Sequence, residues 1–439
     1  MPRPARLLPA LAISAALGLG ARSAAASPED VFGFGPRSSA LGATGAADAE
    51  GYEAVYGNPA LLSLARSCGL TVGMTAAIFD LRARTRISYE PLRGSVIGAV
   101  LPLPFGGVLK DRIAIGLGFF TPFDLVVRGR ILYPERPQFP IADRTQSVAV
   151  QAGIGVDLGH GLRIGGGFAA LAALSGTVLV ATDASGRIGT TVDDTLVASF
   201  GPIASASYDL GDSYRVGLTF RGVLVGRFDV LITVKDLGSI VVPPLNISGV
   251  AQYDPWHLAL EFARVKGPWK AAIGATYKRW SAFPGMADAT VRCPAVDPLT
   301  GMPFTDSCTP LKPPAPGYHD TVVPRAGVER SFEPGGGVGM RLRAGFFFEP
   351  SPAPAQTRES NVYDEARAAF TFGYGVELGA PFPRLALDLF GQAQALIPRT
   401  HVKGAGVAAD NPGALRGGAG AVTTGGFIVA TGLTAGVKF

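Results

Sequence analysis

The stretch VFGFGPRSSALGATGAADAEGYEAVYGNPALLSLAR, residues 31 to 66, is small, rich in Gly and Ala, and patterned unlike the chain that follows it. Asn58 is a favoured N-cap, Pro59 suits a first helical position and Ala60-Leu61-Leu62 begins an apolar run, so this part predicts one short helix. The residues before it, with Gly33, Gly35, Gly42, Gly45 and Gly51, carry too little side-chain volume for a core of their own. They must pack inside something larger, and the pattern predicts a plug within a membrane barrel.

The rest of the chain reads as that container. Phe370, Phe372, Tyr374, Val376 and Leu378 alternate with Thr371, Gly373, Gly375 and Glu377, and Tyr214, Val216, Leu218 and Phe220 alternate with Arg215, Gly217, Thr219 and Arg221. Val338, Met340, Leu342, Phe346 and Phe348 oppose Gly339, Arg341, Arg343 and Glu349. Apolar side out and polar side in is the transmembrane-barrel pattern, although a soluble sandwich has the same period. Connection lengths separate the two. Tight turns near 105–111, 158–161, 209–212, 265–268, 333–337 and 379–381 alternate with long polar or Pro-rich connections near 80–93, 122–145, 182–194, 229–252, 284–320, 350–363 and 398–420. Hairpins closing alternately on opposite sides of a membrane require this, and seven long loops with six short turns predict fourteen antiparallel strands. Leu245 to Tyr253 is assigned to a loop. The last strand carries Phe427, Val429, Leu433, Val437 and Phe439 on one parity and must pair with the first, near Gly69 to Phe79, if no edge is to stay open.

Composition agrees. The chain has 59 Gly, 35 Pro, 47% hydrophobic and 17% charged residues, which suits short strands and turns rather than apolar helices of about 20 residues. The most apolar segment, Ile164 to Ala181, reads better at period two, with Leu162, Ile164, Phe168 and Leu174 on one face. Arg3 and Arg6, the apolar run Leu7 to Ala21 and Ala24-Ala25-Ala26 predict a signal peptide over residues 1–26, a plug over 27–66 and a barrel over 67–439. Removing Arg3, Arg6 and Arg22 takes three charges from the formal +5 and leaves +2, which points to no nucleic-acid partner. Of the three cysteines, Cys293 and Cys308 share one Pro-rich loop; an exported protein can bridge them, the alternative being two loop thiols, and Cys68 is then free.

Catalytic chemistry has little to stand on. His160, His257, His319 and His401 are scattered, no HExxH, GxSxG, P-loop or CxxC pattern is present, and neither catalytic residues, cofactor nor metal is expected. His257, on the inward parity, is the one candidate base for a barrel lipase. Arg215, Arg221, Arg341, Arg343, Glu261, Glu377, Asp388, Gln392 and Gln394 also face inward. They fit mutual salt bridging and anchoring of the plug; a sharper reading has Arg215, Arg221, Arg341 or Arg343 hold a ligand carboxylate, because a guanidinium matches it as a bidentate fork.

A family resemblance rests on several blocks. Arg37-Ser38-Ser39-Ala40-Leu41-Gly42-Ala43-Thr44-Gly45-Ala46-Ala47-Asp48-Ala49 followed by Asn58-Pro59-Ala60, then Gly118-Phe119-Phe120-Thr121-Pro122-Phe123, Tyr214 to Arg221, Tyr277-Lys278-Arg279-Trp280-Ser281 and Leu342-Arg343-Ala344-Gly345, in that order, resemble the FadL/TodX family of outer-membrane transporters of hydrophobic compounds. The resemblance implies a fourteen-stranded barrel in the Gram-negative outer membrane, surrounded by its lipid, with periplasmic termini and an N-terminal hatch whose Asn58, Pro59 and Ala60 belong to the gate. It implies passive uptake of long-chain fatty acids first and aromatic hydrocarbons second, with capture by loop residues such as Phe139 and Phe304 and movement of residues 27 to 45 opening a route. It also implies an inward kink and side opening at Phe119, Phe120, Thr121, Pro122 and Phe123, where Pro122 lacks a ladder donor; the alternative is that Pro122 simply ends the strand where the loop begins, and Asp124 departs from the Gly often found there. The terminal Phe439 resembles the signal read by the outer-membrane barrel assembly machinery. A barrel serving as scaffold for a secretion or surface-attachment complex is the structural alternative, and the lipase the enzymatic one.

Overall fold

The computed structural model describes residues 28–123, 137–143, 145, 147–182, 188–235, 245–285, 287–291, 315–358, 360–379, 384–403 and 420–439. Fourteen antiparallel strands close into a barrel: β1 (Gly69–Ala83), β2 (Leu92–Pro102), β3 (Ile113–Pro122), β4 (Ala149–Gly159), β5 (Leu162–Thr182), β6 (Ile188–Leu210), β7 (Tyr214–Arg221), β8 (His257–Arg264), β9 (Trp269–Lys278), β10 (Thr321–Gly335), β11 (Val338–Glu349), β12 (Arg367–Leu378), β13 (Leu385–Val402) and β14 (Ala421–Lys438). Closure is by β1 on β14, from Gly69 opposite Lys438 to Ala83 opposite Thr424. The exchanged backbone bonds of Cys68 and Phe439, each 3.0 Å, extend that ladder. Within the barrel circuit every described strand has a neighbour on each side, which satisfies the hydrogen-bonding requirement of a wall without water.

The strand count matches the expectation from turn spacing, and Leu245–Asp254 lies outside the barrel circuit, although it forms a strand there; the expected long connection over 182–194 is corrected, because β5 runs to Thr182 and β6 begins at Ile188. Strand β7 pairs directly with β8, Arg221 opposite His257. The intervening chain forms a hairpin of Leu224–Lys235 with Leu245–Asp254; its first strand runs parallel to β5 and its second pairs with Ala287–Val291. This hairpin raises the wall on the long-loop side.

Facing follows the period-two pattern. Leu70, Val72, Met74, Leu260, Ile273, Phe370, Phe372 and Leu433 are exposed, whereas Thr219, Glu261, Arg343, Thr371, Gln392 and Gln394 are buried. The apolar band belongs to lipid, and the polar positions surround the N-terminal segment.

That segment corrects the expected single helix. It makes helical turns at α1 (Pro28–Phe32), α2 (Pro36–Ala40), Gly51–Glu53, Ala54–Gly57 and Pro59–Leu64. Gly35 (φ 81°) and Gly42 (φ 68°) hold left-handed backbone before and after α2, which limits it to five residues. The Asn58 cap is present: its carboxamide oxygen accepts from Ala60 N at 3.0 Å, but the turn it caps is a 3-10 helix of six residues. The hatch crosses the lumen. Pro59–Leu64 packs on β3, β4, β5 and β6, and α2 packs on β11, β12 and β13 on the other side.

Close approach is possible because inward positions of the wall are glycine. Gly217 has no side chain where the Ala46 carbonyl lies against β7, and a Cβ there would collide with it. Gly166, by contrast, would place a Cβ 3.7 Å from its nearest neighbour, Ile203 O. Gly217→Ala is therefore expected to destabilise the detergent-solubilised barrel by about 1–3 kcal/mol, read as a lower thermal midpoint by circular dichroism, while Gly166→Ala leaves the midpoint near wild type.

Candidate functional site: the hatch and the chamber it seals

The hatch is held by hydrogen bonds from the inward face of the wall. Glu261 of β8, buried between the cross-strand neighbours Gly217 and Gly274, accepts from Gly45 N (3.0 and 3.1 Å) and Ala47 N (3.0 Å). Thr219 donates to Gly57 O at 2.8 Å, Ser205 accepts from Ala60 N at 3.0 Å, and Gln394 donates to Val31 O at 3.1 Å. Thr371 donates to Ala40 O (2.7 Å) and accepts from Gly42 N (2.9 Å). A folded plug with short helices leaves many backbone groups without internal partners, and these side chains supply them.

Two belts of charge reinforce the attachment. Near the short turns, Arg37 pairs with Asp48 (2.6 Å) and with Glu329 of β10 (3.0 Å). Glu329 also receives Arg343 at 2.7 Å, and Arg343 reaches Asp388 at 2.5 Å. Burial opposes the charge on Arg37, but Asp48, Glu50 and Glu329 outweigh it and hold the guanidinium well above its ordinary value. Glu50 receives Lys270 (2.6 Å) and Arg341 (2.8 Å), and Arg341 reaches Glu377 at 3.0 Å. On the long-loop side, Asp30 of α1 pairs with the fully buried Lys278 at 2.8 Å, and Lys278 and Arg367 share Glu349 at 2.7 and 2.5 Å.

The four arginines singled out from the sequence do not form one cluster. Arg341 and Arg343 are engaged by the carboxylates just named. Arg215 sits near a short turn, 2.6 Å from Asp209, which also takes Arg163 at 2.7 Å. Arg215, Lys270, Glu50 and Leu61 help line a cavity of about 430 Å³ beneath the hatch. Arg221 lies at the other end of β7, about 20 Å away at strand rise. It donates to Tyr56 O at 2.9 Å and stacks over the Tyr56 ring at 4.3 Å, so it too holds the hatch.

Above the hatch an apolar cluster lies beside these charges. Val31, Phe32 and Phe34 of the hatch join Phe79, Leu81, Leu92, Phe120, Leu171, Phe390 and Leu396 of the wall in one continuous cluster. Loops complete its roof: Phe139 and Ile141 from the connection after β3, Tyr363 from that before β12, and the group Tyr253, Trp280, Phe283 and Tyr318, with ring centroids 4.7 to 6.3 Å apart. Phe139 corrects its expected place as a capture residue. It is wholly buried against Tyr363, its backbone N–H held by the Tyr89 hydroxyl, so it lines the interior. Phe304, Cys293, Cys308 and Asp124 lie outside the described residues, and Cys68 is a free thiol.

The two ladders of β3 differ where the side opening was expected. The ladder with β2 runs from Pro102 opposite Ala114 to Gly94 opposite Pro122 without a register shift. With β4 it runs from Ile113 to Phe120 and stops at Ala149. Thr121 and Pro122 thus have a partner strand on one side only, and Pro122, which has no N–H to offer, is the strand's last residue. Phe119 faces half outward and Phe120 faces the chamber.

Sequence reasoning missed Tyr56, Lys278 and Glu53. Lys278 and Glu329 had a usable signal, since both fall on the inward parity of their strands. Glu53 had none. It lies within the hatch, where its carboxylate accepts from Arg37 N (2.9 Å) and Ser38 N (2.7 Å). His257, the candidate lipase base, has neither ring nitrogen hydrogen-bonded, so no Ser–His pair is assembled there among the described residues.

Burial pushes the Glu53 carboxyl up from 4.5 to about 7, against the opposing effect of the two N–H donors and Arg37. The folded protein therefore keeps this proton where the unfolded chain has lost it. Its contribution to stability is fully present below pH 4.5 and is lost as pH rises through 7. Hatch protection against added protease should fall between pH 5 and 8 by an amount on the order of 3 kcal/mol, and Glu53→Gln should flatten that dependence.

No family model and no curated relative matches the chain. Solved structures do. A Pseudomonas aeruginosa FadL homologue aligns with TM-score 0.59 at 14% identity, covering 92% of this chain and 98% of its own. The Pseudomonas putida toluene transporter TodX aligns with TM-score 0.56 at 15% identity over 93% and 99%, and the Ralstonia pickettii toluene transporter TbuX with TM-score 0.54 at 14% over 93% and 99%. With its closed fourteen-strand circuit, its internal N-terminal plug and this near-complete overlap, the chain has the fold of the FadL and TodX transporters.

Proposed function

We propose that this barrel is a passive transporter of hydrophobic small molecules across the outer membrane of a Gram-negative bacterium, with both termini periplasmic and outer-membrane lipid around the apolar band. The observation that carries the reading is the continuous cluster of buried apolar side chains that the hatch and the upper wall form together. An apolar molecule gains nothing from a water-filled pore, whereas a dry chamber removes its surface from water at roughly 25 cal/mol per Å². The FadL and TodX structures share the architecture, and two of the similar proteins, TodX and TbuX, are toluene transporters.

Long-chain fatty acids are the first cargo and aromatic hydrocarbons the second. Among the four interior arginines, Arg221 is the one at the level of the chamber, and it is the head-group candidate; Arg215, Arg341 and Arg343 are spent on carboxylates nearer the short turns. Entry loosens the hatch, with Asn58, Pro59 and Ala60 as its fixed end and the residues up to 45 as its moving end. Exit is sideways past Phe119 to Phe123, where β3 outlasts its pairing with β4, or downward through the cavity beneath the hatch. Bridging of Cys293 and Cys308 would stiffen an outer loop, and the terminal Phe439 would serve the assembly machinery.

Uptake of radiolabelled oleate and, separately, toluene by cells lacking their own fatty-acid channel tests this. Oleate uptake that falls several-fold in Arg221→Ala, with toluene uptake unchanged, is the expected result. Entry of toluene alone moves the cargo to hydrocarbons, and entry of neither by a folded, surface-exposed barrel gives way to the scaffold reading. In planar bilayers, deletion of residues 28 to 60 should turn a blocked barrel into an ion-conducting one; unchanged conductance counts against a plug.

A further inference from the structure

Three side chains from three separate parts of the molecule converge at the top of the hatch. Asp30 comes from α1, Asp254 from the end of the outer hairpin and His257 from the first position of β8, and all three are buried. One ligand-type atom of each lies within 4.8 Å of the other two. His257 is 2% exposed, and neither its Nδ1 nor its Nε2 has a hydrogen-bond partner. A neutral imidazole ordinarily uses one nitrogen as donor and the other as acceptor when removed from water, so this ring is held in place without its usual satisfaction.

The spacing fits a bridging ion better than a hydrogen bond. Nδ1 of His257 is 3.7 Å from Oδ1 of Asp30, beyond hydrogen-bond length. Two ligands at about 2.0–2.1 Å from a tetrahedral Zn²⁺ stand about 3.3–3.4 Å apart, so closing the group onto an ion takes movements of under about 1 Å per side chain. A cavity of about 20 Å³, the size of one ion or water, is lined by Asp254, His257 and Arg221, and Asp30 lines a second space of the same size. Lys278 Nζ lies 2.8 Å from both Oδ1 and Oδ2 of Asp30, but each carboxylate oxygen has a second lone pair, and Lys278 is itself shared with Glu349.

We propose that Asp30, Asp254 and His257 form a binding site for a divalent transition-metal ion of the Zn²⁺ class, which latches the tip of the hatch to the wall and to the outer hairpin. Asp30, whose charge is shared with Lys278, and Asp254 supply oxygen ligands, and the imidazole selects the ion over Mg²⁺, which prefers an all-oxygen shell. Because Asp30 is carried by α1, any outward movement of the hatch tip must break a ligand bond. The latch, though not the ion site, rests on the gating role proposed for the hatch.

Isothermal titration of Zn²⁺ into the EDTA-treated full-length protein in detergent tests the site without any cargo, so its outcome is independent of uptake. One saturable ion per chain is expected, with no comparable binding of Mg²⁺, and with loss of the Zn²⁺ signal in both His257→Gln and Asp254→Asn. Absence of saturable binding to the wild-type barrel overturns the site, as does undiminished binding in both variants. Should either variant fail to fold, Asp30→Asn and the wild-type titration still decide. For the latch, Zn²⁺ should suppress channel-opening events in planar bilayers several-fold for wild type and not for His257→Gln; binding with unchanged openings overturns the latch while leaving the site.

Discussion

Buried polar groups of the barrel lumen must find partners without bulk water, and the hatch is what provides them. Glu261 shows the constraint in miniature. Its carboxylate sits between two glycines on the neighbouring strands and accepts the N–H groups of Gly45 and Ala47. Leaving such a group unsatisfied costs about 1–3 kcal/mol or more for a charge. Each side of the contact therefore requires the other: the wall contributes carboxylates, hydroxyls and amides, and the hatch contributes backbone that has too little regular structure to satisfy itself.

This mutual dependence also explains the composition of the hatch. Its segments are short because glycines with left-handed backbone interrupt them, and they approach the wall where the wall has no side chain, as at Gly217. Small residues on both sides let backbone meet strand closely, while Arg37 and Asp30 attach it at two heights, to Glu329 and to Lys278. Above it an apolar cluster fills much of the inward face beside the paired charges of Asp30, Lys278, Glu349 and Arg367, and aromatic rings from the loops pack over it.

Much of this was legible beforehand. The parity of Phe370, Phe372 and Tyr374 against Thr371 and Glu377 gave the facing of β12, the spacing of turns gave the fourteen strands, and Asn58-Pro59 gave a capped turn at the right place. The site was legible only in part. Arg215, Arg221, Arg341 and Arg343 were rightly placed indoors, yet their partners lie on other strands or on the hatch, and no spacing along the chain links Arg343 to Glu329 and Asp388. Phe139 was read as a loop aromatic and turned inward instead, since the loop after β3 folds over the chamber. The interrupted pairing at Pro122 took the form of a strand end on the β4 side rather than a gap within the ladder.

The amino-acid order thus determined those features that depend on neighbours along the chain: period-two facing, alternation of short and long connections, and the cap that starts the last turn of the hatch. These are set by local backbone geometry and by where apolar side chains must go. Tertiary structure alone decided which charges meet across the lumen, which glycines touch the hatch, and that Asp30, Asp254 and His257 come together. Their separations follow from closure of the barrel and the stagger of its strands, which bring residues more than two hundred positions apart within bonding distance, and no local preference encodes that distance.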